Sequence, residues 1–403
     1  KLRASYGETG NDNILDSDPD YYPYQTLYGL GYKNGSEAGA YFTVIANPSL
    51  KWETQISTDI ALEFGLFDRL TGTIEYFKKD SKDLLFDVSQ PASVGVTSII
   101  QNIGKVTNSG VEIELDYNAF KNKDWSVSVG ANATFVKNKI KNLPATMKEN
   151  GYISGSKKWL EGKSIYEFWL RQWHGVDPQT GDGLYVADVS KYNQGNIGTG
   201  DGNITQSQFD EYKKTVVTID GKELTNSYTY AKYDFSGSSI PDVYGGFNVR
   251  VSYKNFELAA VFSYQLGGQI LDTNYATMMS MTEFGYAQSP DLLKAWKQAG
   301  DITEVPRIDN SAAHTTNIGQ SYSTRWLTSS DYLNLRSVTI GYQLPKTWLS
   351  KVMLKSARLN LTAENLFMLK ARQGLNPMAN YSGVTYNEYM PSRNITLGLN
   401  VSF

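Results

Sequence analysis

Trp52-Glu-Thr-Gln-Ile-Ser-Thr-Asp-Ile-Ala-Leu-Glu-Phe64 decides the fold. One set of alternate positions holds Trp52, Thr54, Ile56, Thr58, Ile60, Leu62 and Phe64. The other holds Glu53, Gln55, Ser57, Asp59, Ala61 and Glu63. A period of two means a β-strand with one greasy and one wet face. The same alternation returns in Trp125–Phe135, where Trp125, Val127, Val129, Ala131, Ala133 and Phe135 oppose Ser126, Ser128, Gly130, Asn132 and Thr134. It returns again over Val111–Tyr117, Phe247–Tyr253, Leu258–Leu266 and Ile395–Phe403.

These runs predict about ten strands, at 1–7, 51–64, 70–80, 108–119, 125–137, 243–253, 256–266, 332–344, 356–367 and 394–403. Most are longer than the roughly 5–6 residues of a globular strand and match the ~9–11 that a tilted strand needs to cross a bilayer. A long-stranded soluble sandwich would also have one apolar face, so loop lengths must arbitrate. Connections alternate in length. Gly65–Arg69, Lys121–Asp124, Lys254–Asn255 and Pro345–Lys355 are short, whereas about 9–50, 81–107, 138–242, 267–331 and 368–393 are long. Tight turns on one side and extended loops on the other are the habit of a membrane barrel, and a sandwich has no reason to sort its loops this way. Phe64, Phe67, Phe120, Trp125, Tyr253, Phe256, Tyr342 and Trp348 flank the short turns, as an interfacial aromatic belt would.

Composition narrows the chemistry. The 403 residues include 38 Lys+Arg, 41 Asp+Glu, two His and no Cys. The absence of Cys removes thiolate metal sites, disulfides and a Cys nucleophile from this chain. A near-neutral balance argues against nucleic acid as a partner. The mean hydropathy of −0.40 reads as water-soluble, but alternating strands average out polar whichever medium they face. Lys1-Leu-Arg-Ala-Ser-Tyr6 already alternates, so the chain reads as starting inside something larger.

Chemical motifs are sparse. His174 and His314 are isolated, and Glu112 and Glu114 read as a wetted wall before an acid/base pair. Asp201-Gly-Asn-Ile-Thr205 looks like half a Ca²⁺ loop. However, Ile197 and Thr199 fall where carboxylate ligands belong, so a plain turn is the better reading. No catalytic residue, cofactor or metal is expected. Asp291–Gly300 and Ser207–Lys214 have a helical period within the long loops. Loop aromatics Tyr152, Trp159, Trp169, Tyr185, Tyr192, Tyr228 and Tyr230 could stack on a substrate, or instead pack within the loops or against a lid.

Several segments in order resemble the SusC/RagA family of TonB-dependent outer-membrane transporters of Bacteroidota, in the C-terminal part of the barrel. They are Asn47-Pro-Ser-Leu-Lys-Trp-Glu53, Asn108-Ser-Gly-Val-Glu-Ile-Glu114, Gly175-Val-Asp-Pro-Gln-Thr-Gly-Asp182 and Ile240-Pro-Asp-Val-Tyr-Gly-Gly-Phe247. Further matches are Tyr332-Leu-Asn-Leu-Arg-Ser-Val-Thr-Ile-Gly-Tyr-Gln-Leu-Pro345, Glu364-Asn-Leu-Phe367 and the terminal Leu399–Phe403. Asn334 stands where the family often has Arg. The resemblance implies an all-β, antiparallel transmembrane barrel of 22 strands, of which these ten are a part, with long extracellular loops. It also implies an N-terminal plug that is not in this chain, contact with TonB through that missing part, and a SusD-like surface lipoprotein as partner. The cargo it implies is a nutrient oligomer, an oligosaccharide first and an oligopeptide as the alternative. A non-transporting adhesive barrel and an outer-membrane enzyme remain as other classes.

Overall fold

The computed structural model describes every residue except 12–23, 90–92, 94, 97, 201, 282–284, 286, 320–321 and 350–353. Ten strands follow one another in chain order through one antiparallel sheet, to which the short strand Met368–Lys370 adds by pairing with Tyr332–Asn334. They are β1 (Leu2–Asn11), β2 (Glu53–Leu66), β3 (Leu70–Ser89), β4 (Ser98–Lys121), β5 (Trp125–Asn142), β6 (Val243–Tyr253), β7 (Phe256–Leu266), β8 (Tyr332–Gln343), β9 (Ser356–Glu364) and β10 (Asn394–Ser402). β1 and β10 are the two ends of the path, and the sheet is not closed on itself.

Register turns ten separate alternations into one surface. Leu62 lies opposite both Leu2 and Ile74, and Ile74 lies opposite Ile113. The row continues through Ala133 of β5. Further round, Val251 faces Leu258, Leu258 faces Ile340, Ile340 faces Leu361, and Leu361 faces Leu397. Leu2, Leu62, Ile74, Leu258, Ile340, Leu361 and Leu397 are all exposed despite being apolar. A contiguous apolar surface of this kind is a face built to be covered. The opposite face carries Glu63, Thr73, Glu114 and Asn132 in adjacent positions across β2 to β5.

A slip of one residue would flip every side chain to the wrong face, so breaks in the alternation must be absorbed locally. In β8 the apolar spacing changes from two to three between Leu335 and Val338. The ladder shifts there: Val261 pairs with Ser337 and Phe262 with Leu335, leaving Arg336 as the extra residue of a bulge. β4 does the same between Tyr117 and Phe120, where the register shifts past Asn118.

The short connections are tight. Lys254 turns the β6–β7 hairpin at φ 49°, and Phe67 and Asp68 turn β2 into β3 at φ 58° and 50°. The Pro345–Lys355 connection is only partly described. At the other end, the predicted loop at 81–107 is much shorter than the sequence suggested. β3 and β4 keep pairing to Ser89 and Ser98, well past the apolar belt. Polar residues such as Asp80 and Thr107 end the greasy alternation there without ending the strand.

The long loops are not loose. Leu27–Asn34 and Glu37–Val44 form a hairpin. Residues from 143–242, 267–331 and 371–392 build a separate hydrophobic core around Phe168, Leu170, Leu271, Leu292, Trp326 and Val384. A second cluster gathers Ala187, Tyr192, Ile204 and Tyr212. The helix expected near Ser207–Lys214 is Gln206–Thr215, opened by a capping box between Thr205 and Gln208. The one expected at Asp291–Gly300 is only a single tight turn, Pro290–Lys294. Trp296 leaves the helical path because its indole N–H donates to the Pro178 carbonyl at 2.9 Å, in another loop.

This loop assembly leans over the polar face of the sheet. Asn138, on the polar side of β5, accepts from Ser164 Oγ and Ile165 N, and its neighbour Ile140 is fully buried. Asn334 of β8, also on the polar side, is covered by residues 365–378. Lys157 is buried in the assembly with its Nζ 3.1 Å from the centre of the Phe168 ring, donating to the Tyr166 carbonyl at 2.8 Å. Burial pulls its ammonium down to about 7, with Glu167 opposing weakly.

Two outcomes follow from this packing. Leu397→Asp or Leu399→Asp places a carboxylate on the apolar face, at a cost below the ~2–4 kcal/mol of a mid-bilayer Lys or Arg but still unfavourable. Membrane assembly, read by heat-modifiable gel mobility, should fall, while Asn400→Asp on the polar face should assemble normally. The depressed Lys157 pKa means the unfolded chain binds more protons between about pH 7 and 10.5. The loop assembly should therefore become more resistant to proteolysis as pH rises through that window, and Lys157→Met should flatten the dependence.

Candidate substrate-facing surface

Two surfaces meet where the loops overhang the polar face. The first is the strand wall. Glu112 lies opposite Glu75 and Thr134, and Glu114 opposite Thr73 and Asn132, with Asp116 next along. Glu75 is bound by Arg3 at 2.8 Å, and Glu257 by Arg358 at 2.8 Å. This is a hydrated wall of carboxylates, amides and hydroxyls.

The second surface is the loop assembly, which is cross-tied into one body. Arg307 Nε binds Asp182 at 3.0 Å. Tyr185 donates to the Asn317 carbonyl at 2.6 Å, and Trp173 N donates to Thr324 Oγ1 at 2.9 Å. Gly181 has φ +74°, and a Cβ there would meet the Trp296 ring at 2.5 Å, so only glycine lets these two loops close. Arg325 stacks between Trp173 and Trp326, at 4.7 and 4.3 Å, and burial lowers it to about 10. The third loop joins through Arg372, whose Nη2 lies 2.6 Å from the Asp272 carboxylate and whose guanidinium lies over Tyr275 at 3.5 Å. Main-chain bonds between Leu271 and Gly383 and between Thr385 and Leu271 complete the seam.

The aromatics expected to stack on a substrate divide sharply. Tyr185 is fully buried, T-stacked on Trp173, with its hydroxyl pushed up to about 12 by burial. Tyr192 is buried in a cluster with Tyr212 and Tyr230, ring centres 5.3 and 4.8 Å away. Both are packing residues. Tyr230 stands at the edge of that cluster, and Tyr228 is half-buried with its ring under Arg171. Trp169 is half-buried between Tyr233, Phe235 and the Lys158 ammonium. Tyr152 is exposed and touches Trp159, which in turn meets Phe86 of β3. Of the seven, the structure brings Tyr152, Trp159 and Trp169 together on one small sheet and leaves Tyr152 open.

The most open loop rings are ones the sequence reading passed over. Tyr381, Tyr386 and Tyr389 are 74%, 67% and 96% exposed. Tyr381 is held close to the start of β6, its carbonyl accepting from Ser239 Oγ at 2.9 Å. The signal was in the sequence: three Tyr within nine residues, spaced mostly by Ser, Gly, Thr, Asn and Glu, with Val384 the one apolar spacer. A cleft of about 1210 Å³ opens elsewhere in the loop assembly, lined by Leu292, Leu293, Trp296, Arg307, Ile308 and Asp309.

His314 is buried with Nε2 on the Arg307 carbonyl at 2.8 Å, and His174 is exposed on another element. Asp201 lies outside the described residues. Around it, Gly198 N bonds the Ile204 carbonyl and Ile204 N bonds that of Asn196, closing a compact turn. Among the described residues no three His, Asp or Glu side chains converge as a metal site.

Comparison with known proteins places this architecture. The family described as "TonB dependent receptor-like, beta-barrel" matches residues 1–201. The chain is 30% identical to TonB-dependent receptor P3 of Formosa agariphila, over 100% of this chain and 39% of that protein. It is 25% identical to TonB-dependent receptor SusC of Bacteroides thetaiotaomicron, over 100% of this chain and 37% of that protein. The solved structure of the RagAB peptide transporter superposes with a TM-score of 0.75 at 25% identity, covering 100% of this chain and 40% of that one. The chain thus spans about two fifths of the length of these relatives. It belongs to the TonB-dependent receptor β-barrel family, in its SusC/RagA branch, and is an outer-membrane protein.

Proposed function

We propose that this chain supplies lumen wall and outward-facing capture surface for a TonB-energised importer of nutrient oligosaccharides, with a SusD-like lipoprotein closing over its loops. The observations that carry the reading are the open tyrosines Tyr381, Tyr386 and Tyr389 of the loops and a strand wall of amides, hydroxyls and carboxylates. Sugar rings present C–H faces to aromatic rings and hydroxyls to such polar groups, so the two surfaces suit the two sides of a glycan. Transport makes and breaks no bond, and the chain needs no catalytic group for it. Contact with TonB belongs to the part of the protein outside these residues. Open edges on β1 and β10 do not persist in hydrocarbon, so further strands must pair with them.

Oligopeptide import is the second reading, favoured by the likeness to a structure titled as a peptide transporter. Titration calorimetry of the full-length receptor with its lipoprotein, against neutral oligosaccharides and mixed oligopeptides in parallel, separates the two. Glycan binding should weaken about three- to tenfold in Tyr381→Ala and in Tyr389→Ala, and stay unchanged in Tyr185→Phe. Peptide binding without glycan binding would move the assignment to the second reading.

Orientation has its own check. These 403 residues contain no Cys, so a single cysteine introduced here is the only one in this chain, and the unsubstituted full-length protein serves as the labelling control. A membrane-impermeant maleimide added to intact cells should label Ile302→Cys, in the long loops, and spare Phe67→Cys, in a short turn. The reverse pattern would invert the barrel.

A further inference from the structure

Just beyond the apolar belt, on the long-loop side, the outward face of three neighbouring strands turns from aromatic to basic. The last belt row on β3, β4 and β5 is Tyr76, Val111 and Phe135. One step further on the same face the row reads Lys78, Ser109 and Lys137. The next reads Asp80, Thr107 and Lys139. Lys105 joins them, its Nζ 3.8 Å from the Asp80 carboxylate, which Lys78 approaches to 3.1 Å. Asp80 is further engaged by the Thr107 hydroxyl at 2.6 Å.

The patch is unbalanced. Four ammonium groups share one carboxylate, and that carboxylate serves Lys78 and Lys105. Lys137 and Lys139 are exposed, and among the described residues neither has a carboxylate within ion-pair distance. At the height of Lys78, the outward positions on β2 and β1 are Thr58 and Tyr6, so the charge is confined to β3–β5. Strand spacing of about 4.8 Å puts Lys78 and Lys137 roughly 10 Å apart, two strands away on one flat face.

We infer that Lys78, Lys105, Lys137 and Lys139 bind the phosphorylated headgroup of a lipid in the outer leaflet. The location argues for this occupant. A side chain one or two positions beyond the hydrocarbon lies at headgroup depth, where lysine stems follow the apolar surface and their ammoniums meet anionic groups. The patch lies on the face opposite the polar wall, away from the lumen, and the long loops meet it at its upper edge, where the Lys139 stem passes Gly162. Charge complementarity selects phosphate over a neutral headgroup. The inference rests on the outer-membrane placement and on the long loops facing outward, and it does not depend on what is transported.

Native mass spectrometry of the full-length protein in neutral detergent tests it, with phosphorylated lipid A, its dephosphorylated counterpart and inorganic phosphate as probes. The phosphorylated lipid should give a saturable adduct, and the dephosphorylated one should bind roughly thirty-fold more weakly. Lys137→Gln combined with Lys139→Gln should weaken the phosphorylated adduct to a similar degree. Lys121→Gln, at the short-turn end, should leave it unchanged. Heat-modifiable gel mobility confirms that each variant is folded, and the comparison of the two lipids needs no variant at all. Equal retention of the two lipids, wild-type retention by the double variant, or displacement of the lipid by millimolar inorganic phosphate would each overturn the proposal. The first two would leave a merely solvated lysine face, and the third a site for free anions.

Discussion

Everything in this molecule depends on cross-strand register. In hydrocarbon every main-chain N–H and C=O must find a partner within the protein, and a sheet meets that demand only by continuous pairing. Pairing alone does not make a membrane surface. Leu62 must meet Leu2 and Ile74, and Leu361 must meet Ile340 and Leu397, strand after strand. A single unabsorbed slip would send the apolar set of one strand to the lumen. The bulges at Arg336 and near Asn118 therefore matter more than their size suggests. Each takes up one surplus residue, so the greasy side stays greasy on both sides of the defect.

The loop assembly obeys a different rule. It is a water-exposed protein body with its own core, and its backbone groups can be satisfied by turns, short strands and side chains. That freedom permits irregular architecture but demands a way to hold three distant segments together. The solution is a set of polar crossties at the rim of an apolar centre: Trp296 on Pro178, Arg307 on Asp182, Arg372 on Asp272. The assembly also bends over the polar wall, burying Ile140 and Asn334. The lumen mouth is thereby roofed by a body that is braced rather than floppy.

This division explains what the sequence made legible. The strands were readable because a bilayer imposes a strict period of two, and nothing in Trp52–Phe64 or Ile395–Phe403 competes with it. Strand ends above the belt were not readable, because Asp80 and Thr107 abandon the alternation while their backbones keep pairing to Ser89 and Ser98. The loops were least legible. Asp291–Gly300 has a helical period, but the helix loses to the Trp296–Pro178 contact, whose partner is more than a hundred residues away. The aromatic site was half legible for the same reason. Tyr185 and Tyr381 are alike in isolation, and only tertiary contacts make one a core residue and the other an open ring.

The outward face records the membrane a second time. Its belt needs only to be apolar, and Leu, Ile, Val, Phe and Tyr serve almost interchangeably along it. Just beyond, the demands become specific, because headgroups are charged and hydrogen-bonding while hydrocarbon is neither. A strand that simply emerged into water could carry any polar residue at Lys78, Lys137 and Lys139. Instead the same charge appears at neighbouring positions of β3 and β5, held on one face by the register that orders the belt below. The pairing that keeps backbone out of contact with lipid tails thus also fixes the pattern of charge presented to lipid heads. One constraint sets both the depth and the chemistry of the barrel's contact with its membrane.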